Sequence, residues 1–123
     1  MAERDRQIKV IDQDKNIRLF LARTTNLVEE ARQRHNTSAT AAAALGRVMT
    51  AAVMMASDLK GLEDSLTIRV KGNGPAGTII ATADTCGGVR GFITNPTADL
   101  PETAFGKLAV GELVGTQGFL EVV

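Results

Sequence analysis

The chain has 123 residues, 44% of them hydrophobic, with 14 basic and 14 acidic side chains and a formal net charge of zero. That length suits one domain with a real core, and the zero balance excludes the large field that gathers nucleic acid or anionic lipid. Without Trp or Tyr there is little to stack on bases, and a single cysteine excludes an internal disulfide framework.

The opening MAERDRQ is charged and carries no apolar signal core, so a reduced, cytoplasmic setting is the default. Ile8 to Ile11 and Ile17 to Thr24 read as two strands joined by the polar turn Gln13-Asp14-Lys15-Asn16. In the second strand Ile17, Leu19 and Leu21 alternate with Arg18, Phe20 and Ala22, the period of a strand with one buried face. A short helix follows over Leu27 to Arg34. Asn26 with Glu29 fits a loose capping box, and Glu30 and Arg34 are spaced for an i,i+4 pair.

Ser38 to Leu59, SATAAAALGRVMTAAVMMASDL, predicts one long helix of about 33 Å. Ser38 or Thr37 is placed to cap it, Lys60 suits its last turn, and Gly61 stands where a left-handed residue ends a helix. Only Gly46 argues against. At 100° per residue, Thr40, Arg47, Thr50, Ser57 and Asp58 form one polar stripe that also takes in Ala43 and Met54. The remaining circumference is apolar, which describes a buried core helix. A membrane span is the competitor by length, but Arg47 in mid-helix, the interspersed Ser and Thr, and the lack of an aromatic belt count against it.

Beyond Gly61 the period changes to two. Leu66, Ile68 and Val70 alternate with Thr67, Arg69 and Lys71. KGNGPAG turns the chain, and Thr78 to Ala83 and Val89 to Thr94 are further strands separated by the turn-like residues Asp84 to Gly88. Asn95-Pro96 ends the last of these. Ala98 to Lys107 reads as a loop, and Gly118 to Val123 as a strand that runs to the final residue and looks cut off at an apolar end. Strands cluster around two adjacent helices, so the class is α+β: mixed or antiparallel sheet layers against a long, largely buried helix and a short preceding one.

Gly72-x-Gly74-x-x-Gly77 matches the dinucleotide fingerprint formally, and a nucleotide-binding enzyme domain is the alternative function it suggests. The fingerprint needs a helix next; TIIATA follows instead, and Pro75 removes an N–H donor. His35 is the only histidine and reads as a helix-end residue; Cys86 reads as an incidental free thiol in a turn. The paired carboxylates Asp12/Asp14, Glu29/Glu30 and Glu63/Asp64 read as solvated caps and turns. No catalytic, cofactor or metal residue is assigned. Met49, Met54 and Met55 are core candidates. Met54, inside the polar stripe, is the one expected at the surface, where a thioether offers an adaptable apolar contact.

The order of Ala22-Arg23-Thr24-Thr25, the His35-x-Thr37-Ser38-x-Thr40 junction, Ala44-Leu45-Gly46-Arg47, Gly72-x-Gly74-Pro75-x-Gly77, Val89-Arg90-Gly91 and Asn95-Pro96 resembles the N-terminal domain of the heat shock protein 33 family, the 33 kDa chaperonins. The resemblance implies a redox-regulated, ATP-independent cytoplasmic chaperone that holds unfolded client proteins under oxidative stress, often as a dimer. It implies no enzyme activity, and it places zinc in a C-terminal module with CxC and CxxC cysteines. None of those cysteines is here, so residues 1–123 are expected to be a single, incomplete N-terminal domain without cofactor or redox switch. Its partners are expected to be clients and a second copy, with neither nucleic acid nor membrane. The apolar residues Met54, Phe119, Leu120, Val122 and Val123 are the candidate client or oligomer surface.

Overall fold

The computed structural model describes residues 4–123. It is α+β, and both of its sheets are antiparallel throughout. The strands and helices run β1 Arg6–Ile11, β2 Arg18–Arg23, α1 Thr25–His35, α2 Ala39–Ala56, β3 Ser65–Gly72, β4 Thr78–Asp84, β5 Val89–Ile93, α3 Val110–Val114 and β6 Gly118–Val122. β1 and β2 form a separate hairpin, and the other strands form one sheet in the order β5-β4-β3-β6.

α2 lies across this sheet, centred on β4. Its Ala41, Ala44, Leu45, Met49, Ala52 and Ala56 join Leu66, Ile68, Ile79, Ala81, Ala83 and Ile93 from the strands in the core, all but solvent-free. Alanine on both surfaces brings the helix close to the sheet. The helix with membrane-span length and hydropathy is thus the core helix of a folded domain. Gly46, the weak position by propensity, is where α1 crosses: a Cβ there would sit 2.7 Å from Val28 Cγ1.

The polar stripe of α2 is only partly at the surface. Arg47 and Asp58 are exposed. Thr40 is fully buried because the loop after β5 folds over the start of α2; there its Oγ1 donates to Asp99 Oδ1 at 2.8 Å. Ser38 caps α2 by accepting from the Ala41 N–H, while its own hydroxyl donates to the Ala98 carbonyl. Thr50 is half-buried: its hydroxyl donates to the Gly46 carbonyl and meets Thr24 Oγ1 at 2.7 Å, joining α2 to the end of β2. A period of 3.6 identifies the polar face but not the loop or strand that comes to cover it.

α1 departs from the expected capping box. Thr24 is its N-cap and makes no side-chain cap bond. The first turn is held instead by Asp5, whose two carboxylate oxygens accept from the N–H groups of Asn26 and Leu27 at 3.0 and 2.7 Å. Asp5 precedes β1, so this cap also ties the hairpin to the helix. Asp5→Ala is expected to destabilise the domain by about 1 kcal/mol. A denaturant melt checks it, with Asp14→Ala in the exposed turn as the variant expected to change little.

α3 has no counterpart in the sequence reading. It spans five residues, and Leu113 is its single buried side chain. Its role is to close the Gly72–Gly77 turn. The Gly74 N–H donates to the Val114 carbonyl and the Ala76 N–H to the Leu113 carbonyl, at 3.0 and 2.9 Å.

Candidate functional site

The glycine turn is followed by strand β4, not by a helix. Two of the N–H groups that a phosphate would need already serve α3. The turn is therefore a structural joint, and the nucleotide reading falls with it. His35 and Cys86 stand apart, at the end of α1 and in the β4–β5 turn. The Cys86 N–H and the Gly88 N–H both donate to Asp84 Oδ1, and the thiol is exposed. Among the described residues no three His, Cys, Asp or Glu side chains converge as a metal site. Tetrahedral zinc takes four ligands, typically thiolates and imidazoles, so the donor set of this chain does not fit it.

What the structure does display is uncovered apolar surface, and two stretches of it lie on strands. The first is the hairpin. Its register pairs Ile8 with Leu21, Val10 with Leu19 and Lys9 with Phe20. Side chains alternate between faces, so Lys9, Arg18, Phe20 and Ala22 share the face toward α2. There Lys9 Nζ donates to the Ser57 carbonyl and Arg18 pairs with Asp58 at 2.8 Å. Both cations also sit 5.9 Å from the Phe20 ring centre. The opposite face carries Ile8, Val10, Leu19 and Leu21, each 45–50% exposed. The sequence reading assigned Ile17, Leu19 and Leu21 to a buried face; among the described residues no layer covers it. Where the hairpin meets α2, Phe20, Ala51, Met54, Met55 and Asp58 line an apolar hollow of ≈ 410 Å³. Met54 is half-buried in it, and Met55 is the more open of the pair at 43% exposure.

The second place is β6. It pairs with β3 so that Val122 faces Ile68 and Leu120 faces Val70, on the side of the sheet that α2 covers elsewhere. α1 stands at the β5 side, where Leu27, Ala31 and His35 line a hollow with Val89, Arg90 and Gly91. β6 is the opposite edge, and there Leu120 is 65% exposed. Phe119 points to the other face, beneath the Arg69 guanidinium at 5.3 Å, and Arg69 also pairs with Glu121. Val123 continues the ladder by exchanging hydrogen bonds with Thr67. The structure thus divides Phe119, Leu120, Val122 and Val123 between two faces of one edge strand. Met54 belongs with the hairpin and not with them.

Electrostatics add little to either surface. A third hollow, between α1 and the start of α2, is lined by Glu29 and Arg32 with Ala39, Ala42 and Ala43. There the Glu29 carboxylate accepts from Arg32 and from Gln33, and these bonds, with the Arg32 bond the stronger influence, lower its pKa to about 2. This is a surface ion pair within one helix and points to no ligand.

Comparison with known proteins agrees with this geometry. The family model described as Hsp33 protein matches residues 5–123. A 33 kDa chaperonin of Desulforamulus reducens is 53% identical over 118 residues, covering 96% of this chain and 40% of the relative. One of Bacillus cereus is 49% identical over 120 residues, covering 98% of this chain and 41% of the relative. The crystal structure of the 33 kDa chaperonin (heat shock protein 33 homologue) of Thermotoga maritima superposes with a TM-score of 0.84 at 28% identity, over 95% of this chain and 44% of that one. The chain spans about two fifths of the length of the curated relatives it matches. With 119 of its residues inside one family model and half of its aligned positions identical to named members, the chain belongs to the Hsp33 family.

Proposed function

We propose that this chain is the client-holding unit of an ATP-independent chaperone and works without catalysis or a bound cofactor. The observation that carries the reading is the hairpin face of Ile8, Val10, Leu19 and Leu21, a ladder of half-exposed branched side chains on which none of the described residues forms a covering layer. Native proteins seldom leave such a face open without a binding role. Its chemistry suits unfolded chain, which offers apolar side chains in no fixed order and selects for breadth of contact over shape. The Met54/Met55 hollow beside it extends the surface with thioethers that repack around varied partners. The names of the relatives support the same reading. Unfolded proteins of the cytoplasm are the proposed clients.

Self-association is proposed as the second property of this unit. Phe119, Leu120, Val122 and Val123 lie on a strand that, among the described residues, pairs on one side only, a form of surface that invites another strand. The zinc and redox switch that the family resemblance implies are proposed to lie outside this chain. Holding by residues 1–123 is then independent of oxidant.

The test is suppression of aggregation of a heat-denatured client, followed by light scattering with and without reductant. Val10→Lys combined with Leu19→Lys removes the apolar centre of the hairpin face without touching the core. Each half-exposed side chain contributes about 1 kcal/mol on burial, so about 30-fold more of the variant should be needed for equal protection. Equal protection by the variant would remove the hairpin from the function. Protection that appears only after oxidation would show that the switch lies within this chain.

A further inference from the structure

We infer that the cleft between α1 and β5 receives an extended client segment as an added antiparallel strand, one whose residues alternate apolar and acidic. This rests on the client holding proposed above and deepens it, naming a second docking place and the class of segment that fits there.

The arrangement of the helices leaves room for such a strand. α2 is centred on β4, and α1 packs against α2 rather than on a strand. Packed helices stand about 8–10 Å apart and paired strands about 4.8 Å apart, which sets α1 about two strand positions from β4, over the place next to β5. Among the described residues no strand occupies that place. The space is a hollow of ≈ 190 Å³ in which Leu27, Ala31 and Met49 of the helices meet Val89 and Gly91 of β5.

The edge below α1 is set for pairing. The Thr94 N–H donates to the Thr78 carbonyl at 2.9 Å, and the Asp84 N–H to the Gly88 carbonyl at 3.0 Å. Hydrogen-bonded and non-hydrogen-bonded pairs alternate along an antiparallel ladder. Ile80/Phe92 and Thr82/Arg90 are therefore the bonded pairs between those two ends. The main-chain groups of Val89 and Gly91 thus point away from β4, and no described residue bonds to them.

These directions dictate what an added strand must carry. A residue opposite Gly91 exchanges both main-chain bonds with it and turns its side chain to the helix side, into the hollow. A branched apolar side chain fits there against Leu27, Ala31 and Met49. The next residue of the added strand turns to the other face, directly opposite Arg90. That guanidinium is exposed and has no ion-pair partner among the described residues. Glu30 is the one carboxylate lining the hollow, and it is already tied to Arg34 at 2.6 Å. Arg90 is left as the uncompensated charge, so a carboxylate opposite it gains and an ammonium loses. A charge on an edge strand guards against indiscriminate pairing; here it keeps basic strands off and admits acidic ones.

The probe is a short, end-capped, fluorescein-labelled peptide of alternating valine and glutamate, with a valine–lysine counterpart, titrated with the 123-residue chain and read by anisotropy. The acidic peptide should bind about fivefold or more tighter than the basic one. Arg90→Glu, an exposed change expected to leave the circular dichroism spectrum unaltered, should reverse that order. N-methylation of every valine should abolish binding, because those N–H groups face β5. N-methylation of every glutamate should be tolerated. The chain with Val10→Lys and Leu19→Lys should bind the peptide as the parent does. Equal affinity for the two peptides, or an order unchanged in Arg90→Glu, overturns the acidic preference. Binding that tolerates methylated valine overturns the register. Binding lost in the hairpin variant, or client protection by a chain that binds neither peptide, overturns this cleft and keeps client holding. An affinity that falls as the chain concentration rises overturns the client in favour of a second copy in the cleft. A chain that neither protects a client nor binds a peptide overturns both readings.

Discussion

Ala52→Asp is expected to leave the chain unfolded at room temperature. Ala52 is fully buried where α2 crosses the sheet, among Leu45, Met49 and Ala56 and the small residues of β4. A carboxylate there has neither water nor a partner, and its methylene has no space. The cost is about 5 kcal/mol or more, on the order of the whole stability of a small domain. Circular dichroism against temperature is the measurement. Arg47→Ala, five residues earlier on the exposed face, serves as the comparison and should shift stability by about 0.5 kcal/mol or less. Thr50 is unsuitable as that comparison, because its hydroxyl is committed to Gly46 and Thr24. Similar melting losses for Ala52→Asp and Arg47→Ala would mean that the faces of α2 are wrongly assigned.

The second large effect belongs to Gly74. A Cβ on Gly74 would lie 2.2 Å from the Leu113 carbonyl oxygen and 2.6 Å from the Val114 carbonyl carbon, all backbone, so no side chain can swing away. Gly74→Ala therefore has to push α3 off the turn. That breaks the bonds from the Gly74 and Ala76 N–H groups and uncovers Leu113, which is fully buried. The loss should be about 3 kcal/mol, from overlap and from two donors left without partners. Because α3 leads directly into β6, the damage should spread to that strand. Hydrogen exchange at Thr67, whose N–H donates to Val123, should quicken more than exchange within β4. Gly111→Ala supplies the contrast. Nothing lies within 4 Å of a Cβ there and the residue is helical, so the change should be neutral or stabilising by up to about 1 kcal/mol. Exchange at Thr67 that is unaltered in Gly74→Ala would mean that the turn and β6 are not mechanically joined.

The same turn shows how far a motif can be read without its surroundings. The spacing of Gly72, Gly74 and Gly77 is that of a phosphate loop, and the sequence already held the argument against it in Pro75 and the β-branched TIIATA. What the sequence could not show is the positive reason for the glycines. Gly72 and Gly74 are small because the carbonyls of Val114 and Leu113, some forty residues later, come into contact with them. α3 itself was illegible: VGELV is too short to carry a helical period, and it is held by that turn rather than by its own propensity.

The elements with a strong local signal were determined by the sequence alone. The long alanine- and methionine-rich helix, the alternating strands after Gly61 and the short helix before Ser38 all appear, with ends moved by up to three residues. The period of a segment records which side chains share a face, and five of these segments are long enough for the period to be plain. The residues that carry the family resemblance were legible for the same reason, since their order along the chain needs no fold to be seen.

Only the tertiary structure decided which of those faces is covered. Ile8, Val10, Leu19 and Leu21 have the pattern of a buried strand face and lie open, because none of the other described elements reaches the far side of the hairpin. Thr40 has the pattern of an exposed position and is buried, because the loop bearing Asp99 folds over it. Met54 and Met55 are neighbours in sequence, yet their exposure depends on where Phe20 of the hairpin rests. Leu120 and Val122 are apolar in either reading, but their place on an unpaired edge follows from the strand order β5-β4-β3-β6. Periodicity fixes a side chain's direction relative to its own backbone. Coverage depends on contacts between distant segments, which the spacing of residues along one segment does not encode.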